Sequence, residues 1–304
     1  MRRALAGDDH GTLRLLGGVL FGIGVLVLLV RRTSFPPAWS SGAIFVSLAT
    51  PAILLYGAGM LGARQNTRPT AWQAAFTVFG LLFIPAALFA FLDWVGGDTS
   101  SSLNGAWILA LSAVLGFVAG LGARVRFSLL IGSLLLIFAW ILLWDSILSG
   151  GLQAHLGTTR WLLVLIGLIL LATAGAVAMR RADDSSSDVV TAAGVALVLA
   201  GGLTGFAALN AGGLVVLTPL KSSVFWDIEL LVVSLALLGH GVSVGVRGAT
   251  YVGAVGLLAF IGQVGLDLDD SSPSGHAVGW PLVLLILGAI ALAASVVPVL
   301  RRRG

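Results

Sequence analysis

Residues 161–179 read WLLVLIGLILLATAGAVAM, and Arg180-Arg181 follow directly. The run carries no charge and no proline. As a helix it is about 29 Å long, close to the hydrocarbon thickness of a bilayer, about 30 Å. An unpaired peptide group in hydrocarbon costs several kcal/mol, so such a run spans the membrane as a helix or not at all.

The same pattern recurs along the chain. Working outward from Trp161–Met179, nine further windows qualify: Leu13–Val30, Trp39–Ala63, Ala71–Leu92, Gly105–Ala123, Phe127–Leu148, Val189–Leu209, Val224–Val246, Thr250–Leu266 and Trp280–Leu300. None alternates with period two, and barrel strands are only about 10 residues long. Hydrophobic residues make up 58% of the 304 and charged residues 10%, against roughly 25% charged in a soluble protein. A soluble fold, a disordered chain and a collagen are thereby excluded. The chain has no cysteine, which excludes disulfides, thiolate metal sites and cysteine nucleophiles. The expectation is an all-α polytopic membrane helix bundle of about ten transmembrane helices, forming one integral membrane domain over 1–304.

Cytoplasmic loops are enriched in Lys and Arg, and this bias sets the orientation. With the N-terminus inside, Arg2, Arg3, Arg14, Arg64, Arg68, Arg124, Arg126, Arg180, Arg181, Arg247, Arg301, Arg302 and Arg303 fall inside. Arg31, Arg32, Arg160 and Lys221 fall outside. Both termini are then cytoplasmic, and the first window reads as an uncleaved helix rather than a signal peptide. The basic residues form no stripe, so no nucleic-acid partner is expected. The expected partner is the lipid bilayer, with a homo-oligomer or a partner membrane protein as the further option. Arg over Lys, with abundant Ala, Gly, Leu and Val, suits a bacterial chain, placed here in the inner (cytoplasmic) membrane.

Gly62-Ala63-Arg64, Gly122-Ala123-Arg124 and Gly245-Val246-Arg247 close the second, fourth and eighth windows, and Met179-Arg180 closes the sixth. This suggests two-helix hairpins with arginine-marked turns. Ten helices also divide into halves of five, 1–150 and 151–304, with opposite orientation, as in inverted-repeat transporters. In length, helix count and topology the chain resembles the drug/metabolite transporter superfamily. That resemblance is architectural, over the whole chain, and implies a transporter without assigning residues.

The eighth window holds the only Glu of the chain and a histidine. His240, Ser243 and Arg247 fall within about 40° of Glu229 on a continuous helix, and Asp227 is nearby. Ionisable residues inside a span usually face the bundle interior or water. These five are the candidate residues of a substrate or ion pathway. Pro51 and Pro85 interrupt backbone hydrogen bonding in mid-span and are hinge candidates. Gln73 and Thr77, one turn apart, can bond a neighbouring helix. Trp39, Trp94, Trp107, Trp140, Trp144, Trp161, Trp226 and Trp280 cluster at outer helix ends with Asp93, Asp98, Asp145, Asp227, Glu229, Asp267, Asp269 and Asp270. They form either an interfacial belt or a vestibule that attracts cations.

Pro273-Ser274-Gly275-His276 resembles the central signature of the type 2 phosphatidic acid phosphatases. The basic motif that family carries upstream is absent, and no histidine follows His276, so no acid–base pair is available. No catalytic residue, cofactor or metal is expected, and the chain is not expected to be an enzyme. A small-molecule or ion transporter with a cationic or amphipathic substrate is the leading reading. A non-catalytic scaffold, sensor or partner-dependent subunit is the alternative.

The orientation is testable on this cysteine-free chain. A cysteine introduced beside Arg124, Arg180 or Arg247 is expected to label only from the cytoplasmic side. Labelling beside Arg124 from outside intact cells would invert the topology.

Overall fold

The computed structural model describes residues 16–25, 27, 30, 39–65, 70–125, 127–149, 151–180, 185–210 and 223–268. Among them the chain is helical, with no strand. The helices are α1 (Leu16–Val25), α2 (Ser41–Gln65), α3 (Ala71–Trp94), α4 (Ser102–Phe117), α5 (Ser128–Ile147), α6 (Leu156–Arg180), α7 (Ser185–Asn210), α8 (Val224–Val244) and α9 (Arg247–Leu268). Seven of these, α2 to α8, are long and apolar enough to cross a membrane. The tenth window, Trp280–Leu300, lies outside the described residues, as do Arg31, Arg32, Asp269, Asp270 and the phosphatase-like tetrapeptide at His276. Several boundaries differ from the hydropathy windows. Helix α6 begins before Trp161, which moves Arg160 from an outer loop into the helix. Helix α9 begins at Arg247 rather than Thr250.

The helices pair most heavily as consecutive hairpins, α2 with α3, α4 with α5, α6 with α7 and α8 with α9. The seams are lined by residues too small to keep two backbones apart. A Cβ on Gly59 would stand 2.7 Å from the amide nitrogen of Thr77 and 2.9 Å from the Gln73 carbonyl oxygen. A Cβ on Gly241 would stand 2.6 Å from the amide nitrogen of Thr250 and 2.9 Å from the Val246 carbonyl oxygen. In each hairpin the threonine hydroxyl donates to that same carbonyl, at 2.9 Å and 3.1 Å. Three residues further on, Gly80 closes on Tyr56 and Gly253 on Leu238. The α2–α3 and α8–α9 hairpins therefore share one contact, x-x-Gly against Thr-x-x-Gly. Between α4 and α5 the approach is closer in kind: a Cβ on Gly116 would be 2.7 Å from the Gly132 Cα. Close backbone approach of this sort is how helices associate where lipid supplies no hydrophobic drive.

The connections at the arginine-turn end are short. Gly245 takes the left-handed conformation, φ 77°, and its N–H returns to the Gly241 carbonyl, a glycine C-cap. Between α4 and α5 the helix widens into a π-turn, Val118–Gly122. Arg124 and Phe127 follow at φ 56° and 62°, a conformation costing about 1–2 kcal/mol for a residue with a side chain. Burial of Val125 and Leu129, each 2% exposed, offsets that cost. Gln73 and Thr77 bond within α3: the Thr70 N–H donates to Gln73 Oε1 at 2.8 Å, a helix-start contact. Thr77 meets α2 as the surface that Gly59 packs on.

Helix α7 is the centre. In its span 56% of the residues are buried, more than in any other. Gly194 and Gly201 admit Leu237 and Leu230 of α8, and Thr191 packs on Gly248 of α9. Ala192, Ala193, Ala196 and Ala200 are fully buried along it. At the periphery, Val46, Ile53, Leu61, Val232, Leu258 and many like them are exposed, as lipid-facing surface is.

Replacing Gly116 by Leu is expected to destabilise the α4–α5 hairpin by about 1–3 kcal/mol through overpacking. Gly122→Ala, where a Cβ meets nothing within 4 Å, is expected to be near neutral. Thermal unfolding in detergent separates the two.

Candidate functional site

Of the stripe that the α8 sequence suggests, only Glu229 is turned inward, and the other buried polar groups of the helix lie on a different face. Asp227, Ser234 and Gly241 recur every seven residues and so share a face. That face meets α9, and all three residues are buried. Glu229, His240 and Ser243 point about 140–160° away from Asp227. His240 and Ser243 are exposed near the helix end, and the Ser243 hydroxyl donates to the His240 carbonyl at 3.0 Å. Arg247 does not belong to this helix: the left-handed Gly245 ends α8 and Arg247 opens α9. The continuous four-residue stripe is thus broken by the C-cap.

At the aromatic end the structure gathers a different cluster. Asp227 is 3% exposed, and its Oδ1 accepts from Gln263 Nε2 of α9 at 2.6 Å. Arg160, in the second turn of α6, is 7% exposed and lies 5.0 Å from the centre of the Trp226 ring. The guanidinium is within electrostatic reach of both Asp227 and Glu229. Glu229 is half-buried along its stem, but both its carboxylate oxygens are shielded from solvent and have no hydrogen-bond partner among the described residues. They sit against Gly201 of α7, where a Cβ would collide with the carboxylate. Four helices thus meet here: α6 supplies the cation, α8 the two acids, α9 the amide and α7 the gap. Trp161, Phe225 and Trp226 close the top as mutually tilted rings with centroids 5.1–5.9 Å apart.

The α5–α6 connection holds Arg160 in place. Asp145, at the end of α5, accepts from the Ser102 hydroxyl of α4 and from the Leu152 N–H at 3.0 Å. Thr159 then donates to the Leu152 and His155 carbonyls at 3.1 and 3.0 Å. Trp140 Nε1 donates to the Leu162 carbonyl at 3.0 Å. Asp145 is thus a clamp rather than an open vestibule acid. The α3–α4 turn is the more solvated element. There Ser100 bonds to Asp98 through its N–H and hydroxyl, at 2.8 and 2.6 Å, and these bonds hold the Asp98 carboxyl below its ordinary range.

The proline candidates, Pro51 and Pro85, leave α2 and α3 unbroken. The register that joins Gly59 to Thr77 brings them level across the hairpin. Two cavities stand out. One, of about 560 Å³, opens between Trp39, Phe45 and Trp94. The other, of about 210 Å³, lies between Val198, Tyr251 and Val255 and is wholly apolar. Neither touches Glu229. Among the described residues no three His, Asp or Glu side chains gather as a metal site would need. No protein-family model, curated protein or solved structure matches the chain, so the reading of this site stands on its own geometry.

Sequence reasoning missed Arg160, Gln263 and Gly201. One signal for Arg160 was present: its expected place among the basic residues runs against the prevailing charge bias. Arg160→Met is expected to leave two acids without their guanidinium and to destabilise the protein by about 3–5 kcal/mol. Adding Asp227→Leu is expected to recover most of that loss. Unfolding curves of the single and double variants measure both.

Proposed function

We propose that this multi-pass membrane protein is a transporter of a small cationic or amphipathic molecule or of an ion. On this reading Glu229 is the group that takes up positive charge. The observation that carries it is the solvent-shielded, partnerless carboxylate of Glu229 beside a cation already engaged near Asp227. In hydrocarbon such a group is expensive to keep, and one retained there is a functional-site hypothesis by default. The surrounding rings of Trp161 and Phe225, both more than half exposed, present faces that attract cations. The placement proposed is a bacterial inner membrane with both termini in the cytoplasm, so that the aromatic end faces outward. The protein acts by binding and rearrangement, without covalent catalysis or a cofactor.

A second reading is a non-catalytic scaffold or partner-dependent subunit. It is favoured by the tightly packed α7 and by the two cavities, neither of which reaches Glu229. On that reading the exposed α8 face with His240 and Ser243 meets another membrane protein or a second copy.

Reconstituted vesicles separate the two. With a fluorescent alkylammonium dye as probe, the transporter reading expects uptake above protein-free vesicles, lost in Glu229→Gln. Equal uptake in the two proteins removes Glu229 from the pathway, and no uptake of the dye or of monovalent ions favours the scaffold.

A further inference from the structure

Four elements make up the cluster to which Glu229 belongs, and they supply few charges. Helix α6 brings Arg160, α8 brings Asp227, α9 brings the neutral Gln263, and α7 brings Gly201. One guanidinium balances one carboxylate. The second carboxylate then lacks a counter-charge in a low-dielectric setting, where an isolated charge is unaffordable. The two acids also differ in their bonding. Asp227 accepts from Gln263 at 2.6 Å, whereas Glu229 accepts from no described residue. Arg160, stacked on Trp226, is within electrostatic reach of both.

We propose that Glu229 is a proton-binding site and that Arg160 reads its occupancy, moving between Asp227 and Glu229. With a proton on a Glu229 oxygen, Arg160 stays with Asp227. When the proton leaves to water at the aromatic end, about 8 Å along the helix, the charged Glu229 draws the guanidinium across. Asp227 then keeps Gln263 as its donor, and the N-terminal turns of α6 shift against the α8–α9 seam. Two discrete arrangements of one ion pair thus couple proton occupancy to helix packing. The inference rests on the cluster and not on transport, since a scaffold or sensor can use the same switch.

The test uses the full chain in lipid nanodiscs and needs no substrate. Infrared difference spectra across a step from acid to alkaline pH are expected to show loss of a protonated-carboxyl C=O band. That band should be absent in Glu229→Gln and present in Asp227→Asn. Tryptophan fluorescence is expected to change over the same pH range, and the change should vanish in both Glu229→Gln and Trp226→Phe. A band that persists in Glu229→Gln places the proton elsewhere and overturns the proposal. A fluorescence change that survives Trp226→Phe overturns the movement of Arg160. Should Glu229→Gln fail to fold, Glu229→Asp decides: a band that titrates at a shifted pH supports the site, and an unaltered titration refutes it. A protein with the band but no uptake loses the transporter reading alone.

Discussion

An unpartnered polar group in hydrocarbon costs several kcal/mol, and the architecture follows from how that cost is met. Backbone groups meet it by forming helices, so the described chain is helical throughout. Side chains meet it locally: Ser47, Thr50, Thr77, Ser112, Thr173 and Thr250 all donate to the carbonyl one turn back. Arg160, Asp227 and Gln263 meet it jointly, across three helices. Glu229 is a carboxylate for which the described bonding does not meet it, and the functional argument begins there.

Beyond the polar groups, what specifies one packing over another is shape. Lipid tails compete equally for Leu, Ile and Val, so apolarity cannot choose a partner helix. The seams at Gly59 and Thr77, Gly116 and Gly132, and Gly241 and Thr250 can, because such sites let backbones touch. The shared contact in the α2–α3 and α8–α9 hairpins gives two distant parts of the chain the same packing rule. Helix α7, lined by alanines and glycines, is the surface on which α6, α8 and α9 converge, and that convergence brings Arg160 to the two acids.

Much of the fold was legible in the sequence, because hydropathy over some twenty residues is a strong signal. Windows two to nine coincide with α2 to α9 to within a few residues, and the arginine-marked turns identified the hairpins. The site was legible only in part. Glu229 and Asp227 stood out as acids in a span. A helical wheel shows which residues share a face but not which face is buried. On α8 the more polar stripe, with His240 and Ser243, is the exposed one, while the buried seam of Asp227, Ser234 and Gly241 carries a single charge. The wheel also ran through Gly245, whose left-handed turn gives Arg247 to the next helix. Gln263 and Gly201 carry no signal of their own, since their role exists only once α7, α8 and α9 are packed.

The central claim is that α8 turns its Asp227–Ser234–Gly241 face toward α9, which assembles the charged cluster inside the bundle. A Cβ on Gly256 would lie 3.2 Å from the Ser234 Cβ, near the 3.5–4.5 Å of a disulfide. In this cysteine-free chain the most direct measurement is oxidative cross-linking of Ser234→Cys with Gly256→Cys in intact membranes. The account predicts an efficient intramolecular disulfide for this pair and none when His240→Cys replaces Ser234→Cys. Failure of the first pair to cross-link, with His240→Cys joining Gly256→Cys instead, would contradict it.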